Sequence, residues 1–269
     1  MHELERRRIV LRLLAERGSV SLQQLATVLG ASEPTVRRDL TRLEGEGLLE
    51  RVHGGARPVA GAKTTLSGQQ PFESTLLQYG EWKRRIGREA ARLVSPNESI
   101  IVTGGSTTFA FVEQLGDRTL LVLTTSLPHA DYLLRYTNNR VVLPGGEVIR
   151  EQGVILSPFE QDAFPNYYAK KLFIGAQAIG PLGLMQTDPT LVRADQRLVE
   201  QADEVIALVD SSKFSASGSL VSCPLSRIKR LVTDERAPAS FLQKLRKAGI
   251  AITVARAPHG KRVAVKGVA

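Results

Sequence analysis

Cysteine is almost absent from the sequence, since Cys223 is the only one among 269 residues. A single thiol cannot form an internal disulfide and cannot supply the ligands of a cysteine-based zinc finger. The histidines are widely separated in the sequence and do not have the spacing of metal ligands. They are His2, His53, His129 and His259. We therefore expect no disulfide framework, no metal site and no cofactor.

Long apolar runs are missing as well. No segment has the roughly 20 consecutive apolar residues that a helix needs to cross a bilayer. No charged leader followed by a short apolar core is present either. The sequence therefore predicts a soluble, cytoplasmic protein without a membrane partner.

Charge is unbalanced but not concentrated in one place. The formal charge is +9 and the isoelectric point is about 9.9, which favours polyanionic partners such as nucleic acid. Residues 1–58 carry ten arginines against eight acidic residues, whereas residues 59–269 carry 26 basic and 19 acidic residues. A prediction of DNA binding must therefore rest on how the side chains are arranged.

Two capped helices with a tight turn between them are predicted near the N-terminus. Apolar residues recur at helical spacing from Leu22 to Leu29, between a capping serine, Ser21, and a terminating glycine, Gly30. A second helix begins near Ser32, whose hydroxyl can cap the first turn, and Pro34 suits that turn. This arrangement is typical of a helix-turn-helix motif, whose second helix enters the major groove of DNA.

The second helix has two contrasting faces. Val36, Leu40 and Leu43 share an apolar stripe, and the other side carries arginines and threonines, which suit phosphates and base edges. A helix over about residues 3–16 and a two-stranded wing over residues 48–55 are predicted to pack beside it. A merely solvated face is the alternative for this helix taken alone. The predicted DNA contacts are Ser32, Thr35, Arg37, Arg38, Thr41, Arg42, Arg51 and His53.

After residue 80, short aliphatic runs alternate with helical patterns. Strand runs with little polar alternation are typical of a parallel sheet buried on both faces. The predicted strands are 99–103, 119–125, 140–143, 171–176, 205–210, 228–233 and 251–254. The predicted helices are 81–94, 108–115, 128–136, 191–201 and 239–248. We expect a layered, doubly wound α/β domain that binds ligands at the carboxyl ends of its strands.

These patterns divide the chain into four parts. A winged helix-turn-helix domain is predicted over residues 1–57 and the α/β domain over residues 81–257. Residues 58–80 have the composition of an extended linker, and residues 258–269 form a basic tail.

One strand end has the composition of a phosphate-binding loop. The strand that ends near Thr103 is followed by two glycines and three hydroxyl residues, and then by a helix. Glycines let backbone amides approach an anion closely, and hydroxyls add donors. The loop is neither a Walker loop nor a dinucleotide fingerprint, and an ordinary strand-to-helix turn is the alternative. The predicted effector contacts are Gly104, Gly105, Ser106, Thr107, Thr108, Thr125, Ser126, Gly145, Gly146, Asp188, Asp210 and Lys213.

Two of these predictions rest on charge. Lys213 follows a strand end, where its ammonium can neutralise a phosphate, and Asp210 can hold that ammonium or accept from a sugar hydroxyl. A solvated lysine in a surface turn is the alternative. Asp188 and Asp195 could also bind hydroxyls, although helix capping explains Asp188 equally well.

Both halves of the chain resemble one known family. The segment from Ser32 to Leu40, with the later His53-Gly54-Gly55, resembles the N-terminal signature of DeoR-type transcriptional regulators. A second resemblance is to the effector domain of that family, which is similar in fold to sugar-phosphate isomerases. The residues that carry it are Gly104–Thr108, Gly145-Gly146, 173–175 and 210–214. Two departures concern sugar recognition, because Thr103 and Thr125 stand where the family often has aspartate and asparagine.

The resemblance implies a DNA-binding regulator, a repressor of a carbohydrate catabolic operon. Its binding to double-stranded operator DNA is expected to respond to a phosphorylated sugar or sugar acid. The segments 156–158, 187–188 and 208–213 resemble one subgroup in particular, which suggests a phosphorylated sugar acid or a related ligand. A homo-oligomer is expected, since helix-turn-helix proteins commonly bind paired half-sites. The alternative is a sugar-phosphate isomerase-like enzyme with a helical appendage, which needs a positioned carboxylate base.

Overall fold

A computed structural model of the chain describes most of both predicted domains. The described residues are 6, 7, 9–11, 13, 14, 18–45, 47–58, 72–77, 80–150, 152–157 and 164–257. Three predicted segments lie wholly or partly outside them. These are the basic tail, residues 59–71 of the linker and both ends of the first helix.

The described part of the N-terminal domain contains helical residues between 6 and 14, two further helices and a small antiparallel sheet. Its elements are β1 (Val20–Ser21), α1 (Leu22–Leu29), α2 (Glu33–Gly45), β2 (Leu49–Val52) and β3 (Gly55–Pro58). The strands pair in the order β1-β3-β2. The predicted wing is therefore confirmed, and a two-residue strand that the sequence did not predict completes its sheet.

The ends of the helices follow from local chemistry. Ser21 and Gln24 form a capping box at the start of α1, and Gly30 ends this helix in a left-handed conformation at φ 57°. The predicted apolar stripe of α2 is buried together with Val10 and Leu14 of the preceding helical residues. The Ser32 hydroxyl lies 3.0 Å from the Thr35 hydroxyl, so the contact found for it is with a side chain instead of the expected backbone amide.

Gly55 explains one part of the N-terminal signature. Strand β1 crosses β3 so closely that a Cβ atom at Gly55 would lie 2.2 Å from the carbonyl oxygen of Val20. Any larger residue must push the strands apart. Val20 pairs with Ala56 and Ser21 pairs with Gly55 in this register. The glycine therefore fixes the wing beside the start of α1.

The C-terminal domain alternates strands and helices. Its helices are α3 (Phe72–Leu77), α4 (Gly80–Ala91), α5 (Ser106–Val112), α6 (Leu127–Tyr136), α7 (Pro189–Val199) and α8 (Ala239–Lys247). Its strands are β4 (Ser99–Val102), β5 (Leu121–Thr124), β6 (Arg140–Val142), β7 (Glu147–Ile149), β8 (Val154–Leu156), β9 (Ala169–Ile174), β10 (Ala178–Gly180), β11 (Gly183–Gln186), β12 (Ala202–Leu208), β13 (Leu220–Pro224), β14 (Ile228–Asp234) and β15 (Ala251–Ala255). Short 3₁₀ turns lie at Phe164–Asn166, Ser211–Phe214 and Leu225–Arg227.

All seven predicted strands belong to one parallel sheet. Its order is β15-β14-β12-β9-β4-β5-β6, and every neighbouring pair is parallel. Separate apolar clusters pack on its two faces, which confirms the prediction of a sheet buried on both sides. From β4 the chain builds outward through β5 and β6, and from β9 it builds in the other direction. The switch point between β4 and β9 is where such sheets bind ligands.

Three features around the sheet were not predicted. Strands β7 and β8 form a hairpin, and β10, β11 and β13 form a small antiparallel sheet. These strands have three to five residues, too few for a clear periodic pattern. Residues 72–77 are helical, whereas an extended linker was expected there. The burial of Phe72 attaches this helix to the C-terminal domain.

Candidate DNA-binding face and ligand cavity

The polar side of α2 is exposed as predicted. The side chains of Arg37, Arg38, Thr41 and Arg42 are exposed, and Thr35 is half-buried. Arg37 lies 3.6 Å from Glu33 in a solvent-exposed pair. Such pairs are weak, so the arginine can exchange this partner for a phosphate at little cost.

The wing adds two predicted contacts to the same face. The guanidinium of Arg51 on β2 donates to the Thr41 hydroxyl at 2.8 Å, and its backbone amide donates to Glu44 at 2.9 Å. These bonds hold the wing arginine beside α2. His53 is exposed in the turn between β2 and β3. Arg51 of the wing therefore lies beside Thr41 on the exposed side of α2.

A buried ion pair that the sequence did not reveal holds α2 from behind. Arg6 contacts both carboxylate oxygens of Asp39, at 2.7 and 3.2 Å. Only 6% of the Asp39 side chain is exposed. The pair ties α2 to the first helical residues of the chain, and it fixes the rotation that turns the arginines outward.

A cavity of about 390 Å³ opens at the switch point of the sheet. Its wall includes the loop after β4, the strand end at Gly175 and the side chain of Lys213. The lining residues are Phe72, Thr75, Gly104, Gly105, Ser106, Thr107, Thr125, Gln152, Val154, Leu156, Gly175, Ala176, Gln177, Gln186, Leu191, Ala194, Asp195, Ser212, Lys213 and Ala216. Six of the predicted effector contacts are therefore brought together in one cavity of the size that small ligands need.

The glycine loop is held in place by its neighbours. Gly105 has φ 143°, which a residue with a side chain rarely adopts. The Thr108 hydroxyl donates to the Gly105 carbonyl at 2.9 Å, and the Gly104 amide donates to the Thr125 hydroxyl at 3.3 Å. Thr125 therefore links the loop to the end of β5.

His129 also supports this loop, a role that no sequence pattern indicated. Its Nε2 atom lies 3.3 Å from the Gly105 carbonyl, and its Nδ1 lies 3.3 Å from the Thr124 hydroxyl. The Thr124 hydroxyl in turn accepts from the Ser126 amide at 3.1 Å. Because a carbonyl only accepts, the first contact requires a proton on Nε2. The fully buried imidazole therefore joins β5 to the loop.

The other six predicted effector contacts do not line the cavity. Thr108 and Ser126 are buried, and Ser126 caps α6 by accepting from His129 N. Asp188 caps α7, as the alternative for this residue anticipated. Gly145 and Gly146 precede β7, and Gly146 packs against the Leu156 carbonyl.

Asp210 lies buried beneath the turn that carries Lys213. It accepts from the amide and hydroxyl of Ser212 at 3.0 and 2.5 Å. Its second oxygen, Oδ2, has no hydrogen-bond partner among the described residues. Asp210 therefore shapes this turn without lining the cavity itself.

Lys83 is a second cation near this turn, and it was missed. Only 3% of the residue is exposed, and burial lowers its pKa to about 7, with Asp210 raising that pKa and Lys213 lowering it. Its Nζ donates to the Thr75 carbonyl at 2.5 Å. The position of Lys83 three residues before Ile86, on the packing stripe of α4, was the available signal.

Asp195 places a carboxyl group in the cavity wall. Burial raises the pKa of Asp195 to about 7, against hydrogen bonds from Gln186 and Ser222 that lower it. The Gln186 Nε2 atom lies 3.5 Å from Asp195 Oδ2. The sequence placed Asp195 among possible hydroxyl binders, but its helical spacing with Val192 and Val199 equally suits a packing position.

The described residues contain neither a metal-binding cluster nor a membrane-spanning helix. Among the residues that the structure describes, no cluster of histidine, cysteine, aspartate and glutamate could hold a metal ion. In that same part of the chain, no helix has the length and apolar character needed to span a membrane.

Known proteins match both domains. The family description "DeoR-like helix-turn-helix domain" matches residues 6–60, and "DeoR C terminal sensor domain" matches residues 79–235. The chain is 30% identical over 253 residues to the HTH-type transcriptional regulator UlaR of Shigella dysenteriae serotype 1 and of Escherichia coli strain K12. Each alignment covers 94% of this chain and 99% of the relative.

Solved structures give a more distant similarity. Ribose 5-phosphate isomerase A from Methanocaldococcus jannaschii is 21% identical, with a TM-score of 0.38 over 50% of this chain and 54% of the isomerase. The full-length sorbitol operon regulator SorC from Klebsiella pneumoniae is 14% identical, with a TM-score of 0.39 over 91% of this chain and 99% of the regulator.

A helix-turn-helix domain joined to an α/β sensor domain defines a DNA-binding transcriptional regulator. The identity to named regulators over nearly their whole length supports the same class, and it favours a regulator over the isomerase alternative. The chain belongs to the DeoR family. The family resemblance found in the sequence is thereby confirmed.

Proposed function

We propose that this regulator represses a carbohydrate catabolic operon and is released from its operator by a phosphorylated sugar or sugar acid. The observation that carries the proposal is the cavity at the switch point. It is lined by the glycine loop, by the hydroxyl-bearing residues Ser106, Thr107 and Thr125, and by Lys213. Backbone amides, hydroxyls and an ammonium are the donors that suit a phosphate.

On the DNA side, the exposed arginines and threonines of α2 and the wing residues Arg51 and His53 supply the contacts. The helix donates to base edges and the wing meets the sugar-phosphate backbone. Paired half-sites favour a homo-oligomer with two-fold symmetry. Binding to chromosomal operators places the protein in the cytoplasm.

Helix α3 supports a route between the two functions. It lies within the predicted linker, residues 58–80, and its residues Phe72 and Thr75 line the cavity. Lys83 binds the Thr75 carbonyl, so α3 is attached to α4 beside the turn that carries Lys213. A ligand that contacts α3 changes the restraint on the segment that leads to the DNA-binding domain. Only unequal affinity for the two states of the protein can shift the equilibrium between them.

The test is an operator gel shift with DNA from upstream of the protein's own gene and its neighbours. Specific retention that is reversed by one member of a sugar-phosphate panel is expected. No specific retention under any ligand condition contradicts the proposal. Retention that no panel member alters contradicts its sensing half alone.

A further inference from the structure

Polar groups line the cavity well beyond its phosphate-binding donors. Helix α7 and strand β11 contribute Asp195 and Gln186, and the segments that follow β9 and β7 contribute Gln177 and Gln152. At about 390 Å³ the cavity has room for several carbon atoms in addition to a phosphate. These side chains therefore face the rest of the ligand.

This second group of side chains is rich in acceptors. The Asp195 carboxyl is 7% exposed and offers two oxygens. The Gln152 Oε1 atom is buried and has no hydrogen-bond partner among the described residues. Gln177 holds its Oε1 2.9 Å from the Thr187 hydroxyl, which directs its amide. Buried acceptors without partners are costly, so a ligand that donates hydrogen bonds gains most here.

We propose that Asp195 is a specificity-determining residue that accepts hydrogen bonds from hydroxyl groups of the ligand. The ligand is then a sugar or polyol phosphate whose phosphate-free end carries hydroxyls, and a carboxylate at that end is disfavoured. This inference rests on the proposed sensing of a phosphorylated ligand and narrows its class.

The charges around Asp195 are compatible with this role. Helix α7 packs against β8, β9, β11, β12 and β13. Strands β8 and β11 contain no charged residue. The titratable neighbour on β13 is Cys223, whose pKa rises to about 12 mainly through burial and partly through Asp195. Lys213 is the cation that lines the same cavity.

Charged residues on the remaining neighbours have other partners. On β9, Lys170 and Lys171 both pair with Glu98. On β12, Asp203 accepts from Tyr168 and Glu204 lies 3.8 Å from Arg230. Arg193 and Arg197 belong to α7 itself, two residues before and after Asp195. Successive residues differ by about 100° around a helix, so these arginines lie on other sides of α7.

Protonation of Asp195 separates two ligand classes. A ligand hydroxyl donates best to the ionised carboxylate, so binding of a polyol phosphate strengthens as the pH rises through 7. A ligand carboxylate instead requires a proton on Asp195, so binding of a sugar-acid phosphate weakens over the same interval. The phosphate and Lys83 titrate in every variant, so their effects cancel in the ratio of wild type to Asp195→Asn.

The experiment is isothermal titration of the full-length protein with four probes at pH 6 and pH 8. The probes are inorganic phosphate, glycerol 3-phosphate, glucitol 6-phosphate and 6-phosphogluconate. Asp195→Asn is compared with wild type and with Asp188→Asn, a matched change on the same helix outside the cavity. Asparagine retains the capping oxygen at position 188.

Asp195→Asn is expected to weaken glucitol 6-phosphate binding at least tenfold at pH 8 and to change inorganic phosphate binding less than twofold. The wild-type advantage over the variant should grow from pH 6 to pH 8, and Asp188→Asn should match wild type. Two results overturn the inference and leave the proposed function standing. One is an equal loss of affinity for glucitol 6-phosphate and inorganic phosphate in Asp195→Asn. The other is a wild-type advantage over this variant in binding 6-phosphogluconate that grows at low pH. If no probe binds wild type, the proposed ligand class fails and the inference fails with it.

Discussion

The DNA-binding face and the ligand cavity place their polar groups in opposite surroundings. The arginines of α2 are exposed, and the ion pair between Arg37 and Glu33 is open to solvent. Asp195, Lys83 and Asp210 are buried, and burial shifts the pKa of the first two to about 7. We infer that the DNA side is governed by salt, which screens exposed charges, and that the ligand side is governed by pH.

The largest expected effect comes from the buried ion pair between Arg6 and Asp39, which lies behind the DNA-binding face. Asp39→Ala removes two charge-assisted hydrogen bonds from Arg6, so we expect the free energy of unfolding to fall by about 3–5 kcal/mol. Urea unfolding of the full chain, followed by circular dichroism, measures the loss. Glu33→Ala, which removes the exposed partner of Arg37, should change it by less than about 1 kcal/mol. Equal losses for the two variants contradict the distinction between the two pairs.

Asp195 gives the next largest effect, on stability instead of binding. Its folded pKa of about 7 exceeds its ordinary value of 3.8. Between these pH values the folded state binds more protons than the unfolded state, so wild-type stability falls as the pH rises. Asparagine cannot ionise, so Asp195→Asn should be more stable than wild type by roughly 2–4 kcal/mol at pH 8 and show little gain near pH 4. Thermal unfolding across this range provides the test, and a difference that is independent of pH contradicts it.

Arg38 tests how the exposed face recognises DNA. Arg38→Ala should weaken operator binding by about 1–3 kcal/mol if the guanidinium reads a base. Arg38→Lys keeps the charge but loses the planar guanidinium. If Arg38 contacts a base, this variant should bind operator as weakly as Arg38→Ala, and if it contacts a phosphate, the variant should bind as tightly as wild type. Gel-shift titrations on operator and unrelated DNA separate the two cases. A loss that is uniform across sequences identifies a phosphate contact.

The smallest expected effect concerns the support of the glycine loop. His129→Phe removes both ring hydrogen bonds, so we expect inorganic phosphate to bind more weakly by about 0.5–1.5 kcal/mol. Tyr132→Phe changes a neighbouring ring of α6 that does not hold Gly105, and it should leave phosphate binding unchanged. Titration calorimetry measures both variants. If the two variants bind phosphate with equal affinity, His129 does not support the loop.

The contrast between exposed and buried groups also explains what the sequence could predict. Seven strands of the central sheet were predicted because buried parallel strands are continuous aliphatic runs, such as the run from Ser99 to Val102. The face of α2 was predicted because its arginines alternate with an apolar stripe at helical spacing. Short antiparallel strands such as β7 and β10 lack a periodic signal, and the helical conformation of residues 72–77 depends on tertiary packing of Phe72.

Buried polar residues were the hardest to predict. Lys83 and Asp195 lie on the packing stripes of α4 and α7. The spacing of these positions is that of core residues, so it does not reveal that a polar side chain there has another role. Asp188 and Ser126 were predicted effector contacts, and each caps a helix, because a side chain that suits a ligand also suits a backbone amide. Only the folded arrangement distinguishes a cap from a cavity wall.

Ligand and operator are proposed to weaken each other's binding to the same protein. Thermodynamic reciprocity between the two affinities tests this coupling most directly. The operator affinity is measured with and without a saturating sugar phosphate that binds the cavity, and the affinity for that sugar phosphate is measured with and without saturating operator. We predict that each lowers the affinity for the other by the same factor, tenfold or more. Operator and ligand affinities that are independent of each other contradict the account.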